Sequence, residues 1–111
     1  MEPDLDSFFS AMADPTRRAV IEQLSRGRAS VSTLAAPHAM ALPTFLRHLR
    51  VLEDVGIVRT IKKGRVRTCM IEPAPLIAAQ GWLAWQRAVW EGRHDRLSAF
   101  AQQLEQENPD V

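Results

Sequence analysis

LPTFLRHLRVLEDVG, residues 42–56, reads as a two-faced helix ended by a glycine. At 3.6 residues per turn, Leu42, Phe45, Leu46, Leu49 and Leu52 fall on one side, with Val55 at its edge. Pro43, Thr44, Arg47, Arg50 and Asp54 fall on the other. The first side can anchor in a small core while the second, with two arginines, stays outward. Pro43 belongs to the first turn, whose N–H groups have no intrahelical acceptor. Gly56 suits the left-handed conformation that ends a helix. Ala41 stands where a capping serine is more usual, so one capping bond worth about 1 kcal/mol is missing.

The next segment turns an ordinary amphipathic helix into a candidate DNA reader. Ile57–Lys62 and Arg65–Glu72 read as two strands joined at Lys63-Gly64. This hairpin carries Arg59, Lys62, Lys63, Arg65 and Arg67, with no acid before Glu72. A helix followed at once by a basic hairpin is the layout of a winged helix, in which the helix enters the major groove and the hairpin lies along the phosphates. Charge is distributed to match. Residues 41–71 carry a net +5, residues 1–40 carry −1 and residues 72–111 carry −3, although the whole chain is only +1.

Upstream, Leu5–Met12 reads as a short helix with Leu5, Phe8, Phe9 and Met12 on one stripe, packing on its own domain or on a partner chain. Asp14 caps a second helix with Pro15 in its first turn, Ala19, Val20, Ile21 and Leu24 as its buried side, and a stop at Ser25-Arg26-Gly27. Ser30 caps a third, Val31–Ala35, and Pro37-His38 makes the turn into the reading helix. Beyond Pro73-Ala74-Pro75 a long helical segment runs to about Gln106, with Leu76, Leu83, Trp90, Leu97 and Leu104 spaced by seven. Ala78, Trp82, Trp85 and Val89 form a second stripe, and Gly81 and Gly92 are its weak points. So much apolar surface exceeds what one small core covers, which favours pairing with a second copy.

The expectation is a single winged helix-turn-helix domain over residues 1–111, mainly α, with five helices and a two-stranded wing. There is no run of about 18 apolar residues. The acidic N-terminus, MEPDLDSFF, lacks the pattern of a secretory signal. Cys69 has no cysteine to pair with, so a cytoplasmic protein is expected. No Ser/His/Asp set, glycine-rich phosphate loop or carboxylate pair suggests an enzyme, and His38, His48 and His94 lie in separate segments.

Ala13-Asp14-Pro15-Thr16-Arg17-Arg18, the stretch LAAPHAMALPTFLRHLRVLEDVGIV and the hairpin KKGRVRTCMIEPAPL resemble the ArsR-type winged-helix transcriptional regulators of bacteria over about residues 8 to 100. The resemblance implies a cytoplasmic homodimer, usually a repressor, whose first and last helices (4–13 and 74–106) form the dimer interface. Phe8, Phe9, Leu83, Trp90, Leu97, Phe100 and Leu104 are the candidates for that contact. It also implies that Thr44, Arg47 and His48 face DNA, with Arg50, Arg59, Lys62, Lys63, Arg65 and Arg67 completing the set. Leu46 departs from the family's more frequent serine.

The metal sites known in that family are not matched. Ser30-Val31-Ser32-Thr33 replaces the Cys-x-Cys pair of the third helix, and the last helix offers only His94 with Glu91 and Asp95. The expectation is therefore a repressor of a two-fold symmetric operator, working without metal or cofactor. The alternative is a sensor on the same scaffold, with a small-molecule or redox effector near Trp82, Trp85 and Trp90 or at Cys69.

Overall fold

The computed structural model describes residues 4–107, apart from the His94 side chain. The chain divides into two units after Ala79. The first unit holds helices α1 (Leu5–Met12), α2 (Pro15–Leu24), α3 (Val31–Ala35) and α4 (Leu42–Val55), strands β1 (Ala29–Ser30), β2 (Val58–Lys63) and β3 (Val66–Ile71), and the start of α5 (Pro73–Glu107). Local chemistry sets most of these boundaries. Asp4 accepts from the N–H groups of Asp6 and Ser7, Asp14 from Arg17 at 3.0 Å, and Ser30 from Thr33 at 3.1 Å. No side chain caps α4 at Ala41. Its other end is a Schellman closure, with Gly56 at φ 86°, its N–H on Glu53 O and the Ile57 N–H on Leu52 O, both 3.0 Å.

The expected two-stranded wing, β2 and β3, is joined by β1 in a three-stranded sheet of order β1-β3-β2. β1 is only two residues long, too short to leave an alternating pattern, yet it pairs Ala29 with Cys69 and Ser30 with Thr68. The hairpin itself starts and turns one residue later than the sequence suggests. Lys63 pairs with Val66, and Gly64 at φ 60° takes the first of two turn positions. Ile57 is not part of β2, because its backbone closes α4 and accepts from the Glu72 N–H at 2.8 Å.

The core of the first unit gathers Phe8 and Ala11 from α1, Val20, Ile21 and Leu24 from α2, Leu34 from α3, and Phe45, Leu49 and Leu52 from α4. Ile57, Val58 and Cys69 close it from the sheet side, with Ala79 from the start of α5. Two expectations change here. Phe8, assigned to a contact between copies, is only 7% exposed and belongs to this chain's own core, whereas Phe9 is 38% exposed. Leu42, placed on the buried side of α4, is 54% exposed, and the rest of the first turn before Phe45 is exposed with it.

Helix α5 runs unbroken through Gly81 and Gly92, and Pro73-Ala74-Pro75, expected to precede it, forms its first turn, where proline removes no helical bond. Leu76 packs against the core of the first unit. The second unit is α5 from Gln80 onward, a lone helix that has nothing of its own to bury an apolar side against. Trp85 (67%), Leu97 (60%) and Phe100 (59%) are accordingly exposed, with Leu83 and Val89. Among the described residues no helix is long and apolar enough to cross a membrane.

Candidate nucleic-acid interface

Helix α4 presents Thr44, Arg47 and Arg50 outward, all exposed, while Phe45, Leu49 and Leu52 hold its other side in the core. Arg50 borders a cavity of about 380 Å³ with Leu46, Leu49, Glu53, Asp54 and Arg67, so α4 and β3 flank one groove. Leu46, expected near the core, is half-buried at this groove. At the far end of the hairpin Lys62, Lys63 and Arg65 are fully accessible, and none has an acidic partner among the described residues.

Three of the residues assigned to DNA are engaged within the protein. Arg67 Nη2 lies 3.5 Å from Glu53 Oε1, an oxygen that also accepts from Thr60 Oγ1 at 2.8 Å. Glu53 thereby ties both long strands of the wing to the reading helix. Arg59 pairs with Glu72 at 2.9 Å and sits four residues before Lys63, roughly 13 Å down the strand at ~3.3 Å per residue. Part-exposed ion pairs of this kind contribute about 0–1 kcal/mol, so a phosphate can draw Arg67 away at small cost.

His48 is the third. Its Nδ1 meets Arg17 Nη1 at 3.1 Å and Asp14 Oδ2 at 3.6 Å. A guanidinium can only donate to Nδ1 and a carboxylate can only accept from it, so the tautomer of His48 decides which of the two contacts forms. Arg17 also donates from Nε to Ala11 O at 2.7 Å and from Nη2 to Ser10 O at 3.3 Å. These carbonyls belong to the C-terminal end of α1, where a cation is favoured. One side chain therefore joins the end of α1, the start of α2 and the middle of α4. Partial burial opposes ionisation of Asp14, yet the Arg17 N–H and the charges of His48 and Arg17 outweigh it and hold its carboxyl below the ordinary value.

Arg17 and Glu53 are the residues that sequence reasoning passed over. The signal for Arg17 was its place in Asp14-Pro15-Thr16-Arg17, read as a cap alone; its reach to His48, 31 residues on, is a tertiary fact.

Cys69 is buried in the sheet. Burial pushes its thiol up, the Glu53 carboxylate adds to this, and the Thr60 hydroxyl and Arg67 oppose it. That is the environment of a packing cysteine, not a reactive one. Among the described residues no three His, Cys, Asp or Glu side chains converge as a metal site requires, and the His94 side chain lies outside those residues.

The comparisons with known proteins agree with this geometry. A family model described as a helix-turn-helix domain matches residues 12–61. The HTH-type transcriptional regulator Rv2034 of Mycobacterium tuberculosis is 32% identical over 108 residues, which is 96% of this chain and 94% of that protein. An uncharacterized HTH-type transcriptional regulator of Bacillus subtilis, YuzN, is 30% identical over 75% of this chain and 99% of its own length. Among solved structures, an ArsR family transcriptional regulator, RHA00566, superposes with a TM-score of 0.76 at 57% identity, covering 78% of this chain and 96% of the other. An ArsR-like transcriptional regulator from Rhodococcus sp. RHA1 gives a TM-score of 0.73 at 29% identity over 87% of this chain and 92% of its own.

Proposed function

The chain belongs to the ArsR-type winged helix-turn-helix transcriptional regulators, and from that premise we propose that it is a homodimeric repressor that reads a two-fold symmetric operator without a metal. The observation that carries this reading is the pairing of two surfaces. One is the exposed basic set on α4 and the wing tip, and the other is the row of large apolar side chains left exposed on α5.

Each part then has a role. Arg47 offers the bidentate fork that pairs with guanine O6 and N7 in the major groove, and Thr44 stands one turn before it. Lys62, Lys63 and Arg65 hold phosphates, giving affinity and register but no sequence information. Arg50 and Arg67 border the groove between helix and wing, where a backbone strand would pass. His48 orients α4 through Arg17, and its role in contact with DNA is secondary. Leu83, Leu97 and Phe100, with Trp90 and Leu104 along the same stripe, meet their copies and set the spacing of two half-sites.

The test is selection of bound fragments from genomic DNA, followed by footprinting and by sedimentation of the complex. Two inverted half-sites protected by one dimer are expected, and promoter output should fall when the protein is present. A lone asymmetric site, or enrichment of no sequence, contradicts the proposal. Titrating zinc, nickel, cadmium and arsenite into the same complex should leave the DNA bound.

A further inference from the structure

The sheet carries a second basic cluster, at its base and on the face opposite to the one from which Thr60 and Arg67 reach Glu53. Register places Arg59 beside Met70 on β3, and the pairing of Ala29 with Cys69 carries Arg28 to the other side of that methionine. Arg28, Arg59 and Arg26 line one cavity of about 480 Å³, with Met70, Leu24 and Glu72 among its other walls. Arg59 is held there by Nε on Glu72 Oε1 at 2.9 Å and by Nη2 against Met70 Sδ at 3.2 Å. The side chains of Arg26 and Arg28 make no ion pair or hydrogen bond among the described residues. Three arginines thus line one cleft that has a single carboxylate, Glu72, and that carboxylate is paired with Arg59.

We propose that this cavity binds a small phosphomonoester. Arginine forks match phosphate oxygens in pairs, and such charge-assisted bonds are the strong ones. A monocarboxylate, with one charge and two oxygens, satisfies one arginine fork at a time. A phosphate, with a charge of about −1.5 to −2 and three terminal oxygens, engages Arg26 and Arg28 as well. Leu24 and Met70 supply an apolar wall for the organic body of the ester. The cleft is open to solvent on one side, and its volume lies within the roughly 300–1,000 Å³ of small-ligand sites. The end of α2, the Arg26-Gly27-Arg28 turn, the base of the wing and Pro73 of α5 all meet there, so an occupant touches the frame that carries the reading helix. Binding of the ester stands apart from the DNA-reading proposal; only its use as an effector rests on it.

Two sources share this chemistry, a free phosphomonoester and the backbone of DNA, and the experiment separates them. Phenyl phosphate, benzoate and phenol are titrated in turn into the 15N-labelled full chain while amide shifts are followed. Phenyl phosphate should saturate at millimolar concentration with shifts centred on Arg26–Arg28 and Met70–Glu72, benzoate should bind far more weakly, and phenol should not bind. Replacing Arg26 and Arg28 together by alanine should weaken phenyl phosphate by about tenfold or more. The pair Arg26→Lys and Arg28→Lys, which keeps the charge and loses the fork, should recover part of it. Lys63→Ala should leave phenyl phosphate binding unchanged while weakening DNA binding. No saturable shift, or shifts centred on the wing tip, overturns the proposal. So does a loss of random-duplex affinity in the alanine pair as large as that of a wing-tip variant, since the cluster would then serve the DNA backbone. Failure of the unaltered protein to bind any DNA would sink the operator reading and leave the phenyl phosphate result standing.

Discussion

Arg47 is exposed on α4 together with Thr44 and Arg50, and in the proposed reading its planar fork is the group that distinguishes bases. Arg47→Ala should cost about 1–3 kcal/mol per lost base contact on the selected operator and far less on random DNA. Equal losses on both would make it a phosphate contact. Cys69 gives a second prediction at this scale. Its thiol is raised in the folded chain, so folding disfavours the thiolate. The stability this confers is complete below the ordinary thiol range and is lost as pH rises through that range toward the folded value. A disulfide reagent at neutral pH should therefore label the native protein slowly, at a rate that rises with denaturant. Rapid labelling of the native protein would show that the thiol is not held in the sheet.

Helix α4 and the wing are each fixed at their ends. Gly56 holds φ 86° with open space around the position a Cβ would take, so Gly56→Ala carries backbone strain alone. The expected loss is about 1–2 kcal/mol in denaturant unfolding, with no change in the slope of the DNA salt dependence. A loss within error would mean that the Schellman closure relaxes without cost. The wing is tested through charge. Lys62→Ala with Lys63→Ala removes four charges from the proposed dimer, and the slope of log affinity against log salt should flatten by up to about 3 to 4 units, on operator and random DNA alike. An unchanged slope would place the hairpin tip off the phosphates. Arg67→Ala differs in kind, because it also frees Glu53, which keeps its bond to Thr60.

At the scale of the whole molecule, the proposed homodimer gives the exposed row on α5 the task of holding two half-sites together. Leu97→Asp with Phe100→Asp places charge on that row and touches nothing in the core of the first unit. Sedimentation should then report a monomer, and operator affinity should fall by about 10²–10⁴, the advantage of linking two weak half-sites. Thermal unfolding of the first unit should persist. A wild-type chain that sediments as a monomer at micromolar concentration would remove the basis of this prediction. The same surface explains why seven-residue spacing in the sequence does not mean a self-contained bundle. The stripe continues from Leu76, which packs at home, to Leu97, which has no cover within its own unit.

What the sequence determined by itself was local. Asp14-Pro15 and Ser30 mark helix starts because capping needs only neighbours within three residues, and Gly56 marks an end because φ of that sign is cheap only for glycine. The apolar periodicity of residues 42–55 likewise sorted Phe45, Leu49 and Leu52 from Arg47 and Arg50, since one helical turn repeats the same environment. The tertiary structure alone decided the rest, through contacts between residues far apart in the chain. A two-residue strand, Ala29–Ser30, exists only because β3 lies beside it. Phe8 and Phe9 are neighbours of one composition, and only the packing of α1 on α4 sends the first inward. Arg67 and Lys63 look alike in sequence, yet Glu53 stands within reach of one and not the other. His48 reads as a groove residue until Arg17 and Asp14, more than thirty positions earlier, are found at its Nδ1. Charge and periodicity are written along the chain, whereas which partner a charge meets depends on how distant segments are brought together.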